Sequence, residues 1–192
     1  MADFSLKPTL TGASVVLRPF RPGDVEALGE ALRDTEVSRL TGTHTALADD
    51  VVRAWYATRN EQPDRLDLAI EDRGSGACVG EAVLNEWSPA CRSCNVRILM
   101  TAPGRGRGLG TEATRLIVGY GFERLSLHRI SLGVYAFNPR ARRAYEKVGF
   151  VTEGVLRDAL YWDGTWVDAI AMSMLAPEWP RLGPTDASVA RG

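Results

Sequence analysis

Cysteine and histidine are scarce: the 192-residue chain has three of the first and two of the second. So sparse and odd a set of thiols argues against a disulfide framework. Cys91 and Cys94 form a lone CxxC, but a zinc site needs two further ligands, and only Cys78, His44 and His128 remain, scattered along the sequence. An excess of one charge is also missing, with 23 Lys plus Arg against 24 Asp plus Glu. No global field therefore favours nucleic acid, a membrane surface or a polyanion. No stretch approaches the roughly 18 apolar residues of a membrane span, and the opening residues lack a basic segment followed by an apolar run. These absences predict a soluble, cytoplasmic protein with no metal, no nucleic-acid partner and no membrane partner.

What is present is 45% hydrophobic residues, enough for one core-forming domain of ordinary size. Residues 14–18 read as a strand. Pro19 and Pro22 then turn the chain into a helix over 24–33, whose Ala27, Leu28, Ala31 and Leu32 share a face. A second helix is expected over 47–59, with Asp49 and Asp50 suited to its N-terminal dipole, and residues 41–45 between the two read as loop. Strand patterns at 66–71, 77–85 and 95–100 predict an antiparallel meander, and a helix over 111–124 precedes a strand at 129–137. Asn138 and Pro139 look like an N-cap and first helical residue, Gly149 like a helix end, and 155–161 with 165–175 like a hairpin. Residues 1–176 are thus expected to form the domain, as a mixed α/β (α+β) sheet, and 177–192, rich in Pro, Gly and small polar residues, a flexible tail. The strands flanking the 111–124 helix should be the parallel pair, because a helical crossover joins parallel neighbours.

Residues 105–110 read RGRGLG, between a strand and a helix. A loop in that setting presents unpaired N–H groups at the positive end of the helix dipole, which suits a phosphate or pyrophosphate. Gly106, Gly108 and Gly110 allow close approach, and Arg105 and Arg107 add charge. The spacing is not a Walker loop, which needs Lys and then Ser or Thr where Thr111 and Glu112 stand. Nor is it the dinucleotide fingerprint, since Thr111 occupies the third glycine's place.

RGRGLG resembles the Arg/Gln-x-x-Gly-x-Gly/Ala signature of the GNAT superfamily of acyl-coenzyme A-dependent N-acyltransferases. A second block, NPRARRAYEKVGF over 138–150, follows in the strand-then-helix context of that superfamily. The likeness spans about 15–175 and is nearest the branch that includes ribosomal-protein N-terminal acetyltransferases. It implies a GNAT-like, mostly antiparallel sheet of six to seven strands flanked by about four helices, with the central parallel strands splayed. It also implies acetyl-CoA, or another acyl-CoA, as co-substrate, no metal, and direct transfer to a small-molecule or protein N-terminal amine. A homodimer is the assembly it leans toward.

Carried over residue by residue, the resemblance places the coenzyme pyrophosphate on Arg105, Gly106, Arg107, Gly108, Leu109, Gly110 and Thr111. The pantetheine arm is expected against the backbone of Leu99, Met100 and Thr101, and against Asn138. Tyr145 matches the family's tyrosine that protonates the leaving thiolate, although it also falls on the apolar face of its helix. The base is the open question. Related enzymes carry a glutamate where this chain has Asn95, so Glu86 is the candidate, with Glu81 and His44 behind it. Trp87, Trp162 and Trp166 with Asp158, Asp163 and Asp168 are further residues that suit a cleft for a cationic amine, or plain cross-strand packing. Two other readings stay open: a catalytically inactive acyl-CoA sensor, and an RNA-binding protein using Arg105, Arg107 and residues 140–143.

Overall fold

The structure, a computed structural model, describes residues 3–45, 47–182 and 188–190, with side chains as far as Trp179. In chain order the elements are β1 (Thr9–Thr11), β2 (Val15–Arg18), α1 (Asp24–Arg33), α2 (Thr35–Thr41), α3 (Asp49–Ala57), β3 (Leu66–Asp72), β4 (Cys78–Ser88) and β5 (Ser93–Met100). There follow α4 (Leu109–Glu123), β6 (Arg129–Tyr135), α5 (Pro139–Val148), β7 (Val151–Trp162), β8 (Thr165–Leu175) and β9 (Ser188–Ala190). The strands form one sheet in the order β7-β8-β6-β5-β4-β3-β2-β1-β9. Every recorded pairing is antiparallel except β5 with β6, which α4 connects. The expected mixed, mostly antiparallel α/β architecture with a central parallel pair is therefore present.

Strand alternation divides the core between the two faces of the sheet. Leu66, Leu68 and Ile70 of β3, Ala82 and Leu84 of β4, and Ile130, Leu132 and Val134 of β6 pack with α4, Tyr145 and Val148. On the opposite face Ala69 and Leu99 meet Leu28 and Ala31 of α1, Val37 of α2, and Val52 and Tyr56 of α3. The glycine loop thus opens the helix of one face, while α1, α2 and α3 border the other.

The described residues hold nine strands and five α-helices, more than the six to seven strands and about four helices expected. The additions are short. Both β1 and β9 have three residues, too few to show an alternation. In α2 only Val37 is buried, and Asp34 caps it by accepting from the Glu36 N–H at 2.8 Å. The tail also begins later than composition suggests. Residues 176–182 form a 3-10 turn in which Trp179 is 5% exposed, packs tilted against Phe122 at 5.9 Å and donates from Nε1 to Glu123 at 2.7 Å. One buried aromatic outweighs the surrounding prolines here. Residues 183–187 and 191–192 of the expected tail lie outside the described residues.

Candidate active site

The pairing of β5 with β6 stops almost as soon as it begins: Ser93↔Arg129, Cys94↔Ile130 and Asn95↔Ser131 are its only registers. Beyond Asn95 the two strands diverge, so residues 96–100 face a gap rather than a neighbour. At about 3.3 Å per residue this edge is on the order of 16 Å long, which sets the extended arm it can hold. Backbone direction alternates along it. The Thr101 N–H donates to the Val79 carbonyl at 2.9 Å, and the Leu99 carbonyl oxygen lies against Gly80, close enough to collide with any Cβ there. Leu99 and Thr101 are therefore engaged with β4. By strand alternation Val96, Ile98 and Met100 point into the gap, where the Met100 carbonyl already accepts from Arg105 Nε at 3.1 Å. Of Leu99, Met100 and Thr101, expected to offer free backbone groups, only Met100 faces the gap, and Ile98 is the neighbour that shares its direction.

At the far end of β5 the chain makes a short 3-10 turn over Ala102–Gly104 and enters the glycine loop. Gly106 and Gly108 have φ of 77° and 82°, the left-handed region that favours glycine. Gly108 caps α4: its carbonyl accepts from Thr111 and Glu112. The N–H groups of Gly106, Arg107, Gly108, Leu109 and Gly110 have no acceptor among the described residues, a run of donors that fits an anionic diphosphate. The arginines act differently from expectation. Arg105 pairs with Asp34 at 2.8 Å and with Glu36, and Arg107 with Asp72 at 2.8 Å. Their charge is largely neutralised in place, and Arg105 locks the loop to the start of α2. A cation from outside the RGRGLG motif is Arg140, exposed in the first turn of α5, whose terminal nitrogen lies 3.5 Å from where a Gly106 Cβ would stand.

Asn138 caps α5, its Oδ1 accepting from the Ala141 N–H at 3.1 Å. Tyr145 sits one face inward on that helix, 9% exposed and edge-on to Phe150 at 5.9 Å. Its hydroxyl has no hydrogen-bond partner among the described residues, and burial pushes its pKa up to about 12. At neutral pH it is a protonated donor.

Residues 14–151 match the family described as acetyltransferase (GNAT) domain, most of the chain. The chain belongs to the GNAT superfamily. It is an acyl-CoA-dependent N-acetyltransferase, as its GNAT relatives are. The putative ribosomal N-acetyltransferase YdaF of Bacillus subtilis (strain 168) is 31% identical over 173 residues, covering 86% of this chain and 93% of that protein. Spermidine N(1)-acetyltransferase of Escherichia coli (strain K12) is 29% identical over 141 residues, 67% of this chain and 76% of the other. Among solved structures, the spermidine N-acetyltransferase of Vibrio cholerae in complex with CoA and spermine has a TM-score of 0.80 at 23% identity. That likeness covers 87% of this chain and 98% of the other and shows the shared fold.

The face of this GNAT sheet opposite α4 carries the remaining candidates. Glu81 is 3% exposed and accepts from the Tyr56 hydroxyl and from Arg97, each at 3.0 Å. Burial, and then the charge of Glu81, raise the Tyr56 pKa. The Glu81 carboxylate is held by two donors rather than free to take a proton. Glu86 is exposed, with φ of 54°, in the bulge between Asn85 and Ser88, and has no ion-pair partner among the described residues. His44 is exposed and stacks on Trp162 at 5.0 Å. Trp162, Asp163, Trp166 and Asp168 line a cavity of about 620 Å³ with Arg39 and Phe137, just beyond the end of β6. Trp87 does not join them: it packs on Phe4 at 5.4 Å, against the α4-side core.

Proposed function

We propose that this enzyme transfers the acetyl group of acetyl-CoA directly to a primary amine of a small cationic molecule, with polyamines as the first class to examine. The observation that carries the reading is the β5–β6 gap, which joins the run of free loop N–H groups to the sheet face bearing the aromatic and acidic cavity. The spermidine acetyltransferase relatives support the acceptor class. So does the pairing state of the cavity, where Asp163 and Asp168 have no salt-bridge partner among the described residues and the exposed Trp166 lies beside them.

When bound, the thioester supplies the acetyl group. The chain's own residues then do the following. The loop N–H groups of residues 106–110, helped by Arg140, hold the diphosphate. The Ile98 N–H, directed into the gap, polarises the carbonyl that the amine attacks. The nitrogen–carbon bond forms as carbon–sulfur breaks, Tyr145 gives its proton to the departing thiolate, and the nitrogen releases one proton through water to Glu86 and solvent. A homodimer belongs to this reading, and sedimentation checks it.

Release of free thiol from acetyl-CoA tests the function across polyamines, aminoglycosides and peptides with free N-termini. Turnover is expected first on the polyamines. Preference for the peptides would favour protein N-terminal acetylation, the reading the YdaF likeness supports. Tight coenzyme binding without turnover on any amine would instead mark a sensor.

A further inference from the structure

Two side-chain oxygens in this molecule are buried without any hydrogen-bond partner among the described residues: Oδ1 of Asn85 and Oδ1 of Asn95. Buried acceptors are nearly always satisfied, so a pair of orphans asks for a missing donor. They are not independent. Asn85 and Asn95 are direct partners across β4 and β5, which places their Cβ atoms about 5 Å apart. Alternation puts both on the face that carries Glu81 and Arg97, away from α4. Asn95 is also opposite Ser131 in the last parallel pair, so the orphans stand where the β5–β6 gap opens.

We propose that Asn85 and Asn95 together seat the nitrogen of the acceptor amine, an inference that rests on the function proposed above. Two carbonyl acceptors side by side match a group that donates two hydrogens. A neutral primary amine has two N–H bonds for them and keeps its lone pair free. An amide pair suits this better than a carboxylate. A carboxylate stabilises the ammonium, which has no lone pair, whereas an amide accepts hydrogen bonds without fixing a positive charge. Asn95 thus replaces a base with a seat. Proton removal falls to water and to Glu86, which follows Asn85 directly in the exposed bulge.

Asn95→Leu, Asn85→Leu and Asn95→Asp test the seat in the full-length enzyme, with the best amine of the panel and saturating acetyl-CoA. Each Leu variant is expected to raise the amine KM about tenfold, the effect of one lost hydrogen bond, and to leave CoA affinity within about twofold of wild type. Asn95→Asp keeps an acceptor in place and should hold the KM near wild type, while its charge, by favouring the ammonium, lowers kcat. The melting temperature of the Leu variants should hold or rise, because an unpartnered acceptor has been replaced by an apolar group of similar size. An unchanged amine KM with only kcat lowered would mean that the pair holds a water and would overturn the seat, as would wild-type kcat/KM in both Leu variants. A wild-type protein that binds CoA but acetylates no amine would sink the parent reading and the seat with it.

Discussion

In the proposed mechanism Tyr145 serves packing and chemistry together. Its ring fills the α4-side core, and its hydroxyl has no hydrogen-bond partner among the described residues. Burial disfavours the phenolate and pushes the pKa up to about 12, which keeps the proton in place through the neutral range, as a donor to a thiolate requires. Tyr145→Phe is expected to lower kcat about a hundredfold, with CoA affinity measured by calorimetry nearly unchanged. Because no hydrogen bond is lost, the melting temperature should change little. Wild-type turnover in this variant would leave Tyr145 a packing residue only. The residue type and position were legible in the sequence from the NPRARRAYEKVGF block. The state of its hydroxyl was not, because it depends on which groups the fold fails to bring near.

Among the elements, the glycine loop and the β7 wing behave differently under substitution. A Cβ at Gly108 meets nothing within 4 Å, so the space is open and only the φ of 82° resists a side chain. Gly108→Ala should therefore cost about 1 to 2 kcal/mol of stability and little CoA affinity. Gly108→Glu adds a carboxylate among the free N–H groups and is expected to weaken CoA binding at least tenfold by calorimetry. Equal affinity in the two variants would remove the diphosphate from this loop. Among the described residues strand β7 pairs only with β8, and Glu153 ties it inward by accepting from Arg129 at 2.7 Å and from Ser173 at 2.7 Å. The Arg129 hydrogen bond, followed by that from Ser173, holds Glu153 down at about 2. A depressed carboxylate stabilises the fold above its unfolded pKa of about 4.3 and loses that contribution as pH falls through the folded value. The melting temperature of Glu153→Gln should accordingly lie below wild type at pH 7, and the difference should close between pH 4 and pH 2. A pH-independent difference would mean that the pair contributes by shape rather than by charge.

For the whole molecule, what could be read in advance was what repeats over many residues: the α4 and α5 periodicities, the meander, and the two motif blocks with their spacing. What could not be read depends on single contacts between distant segments. Arg105 meets Asp34 and Glu36 from 71 and 69 residues away, β1 and β9 pair with three residues each, and the backbone parity at Ile98 follows from the register of β4 on β5. The C-terminal boundary is the clearest case. Composition places it at residue 176, yet Trp179 covers the end of α4 through Phe122 and Glu123, and β9 extends the sheet along β1. Trp179→Ala should cost about 3 to 5 kcal/mol in urea denaturation, the range for deleting a buried large aromatic. A chain cut after residue 176 should lose at least as much, because it gives up the same ring together with the β1–β9 pairing. Since α4 presents the loop N–H groups, the cut should also lower CoA affinity, whereas a truncated protein of full stability and affinity would return the domain boundary to residue 176.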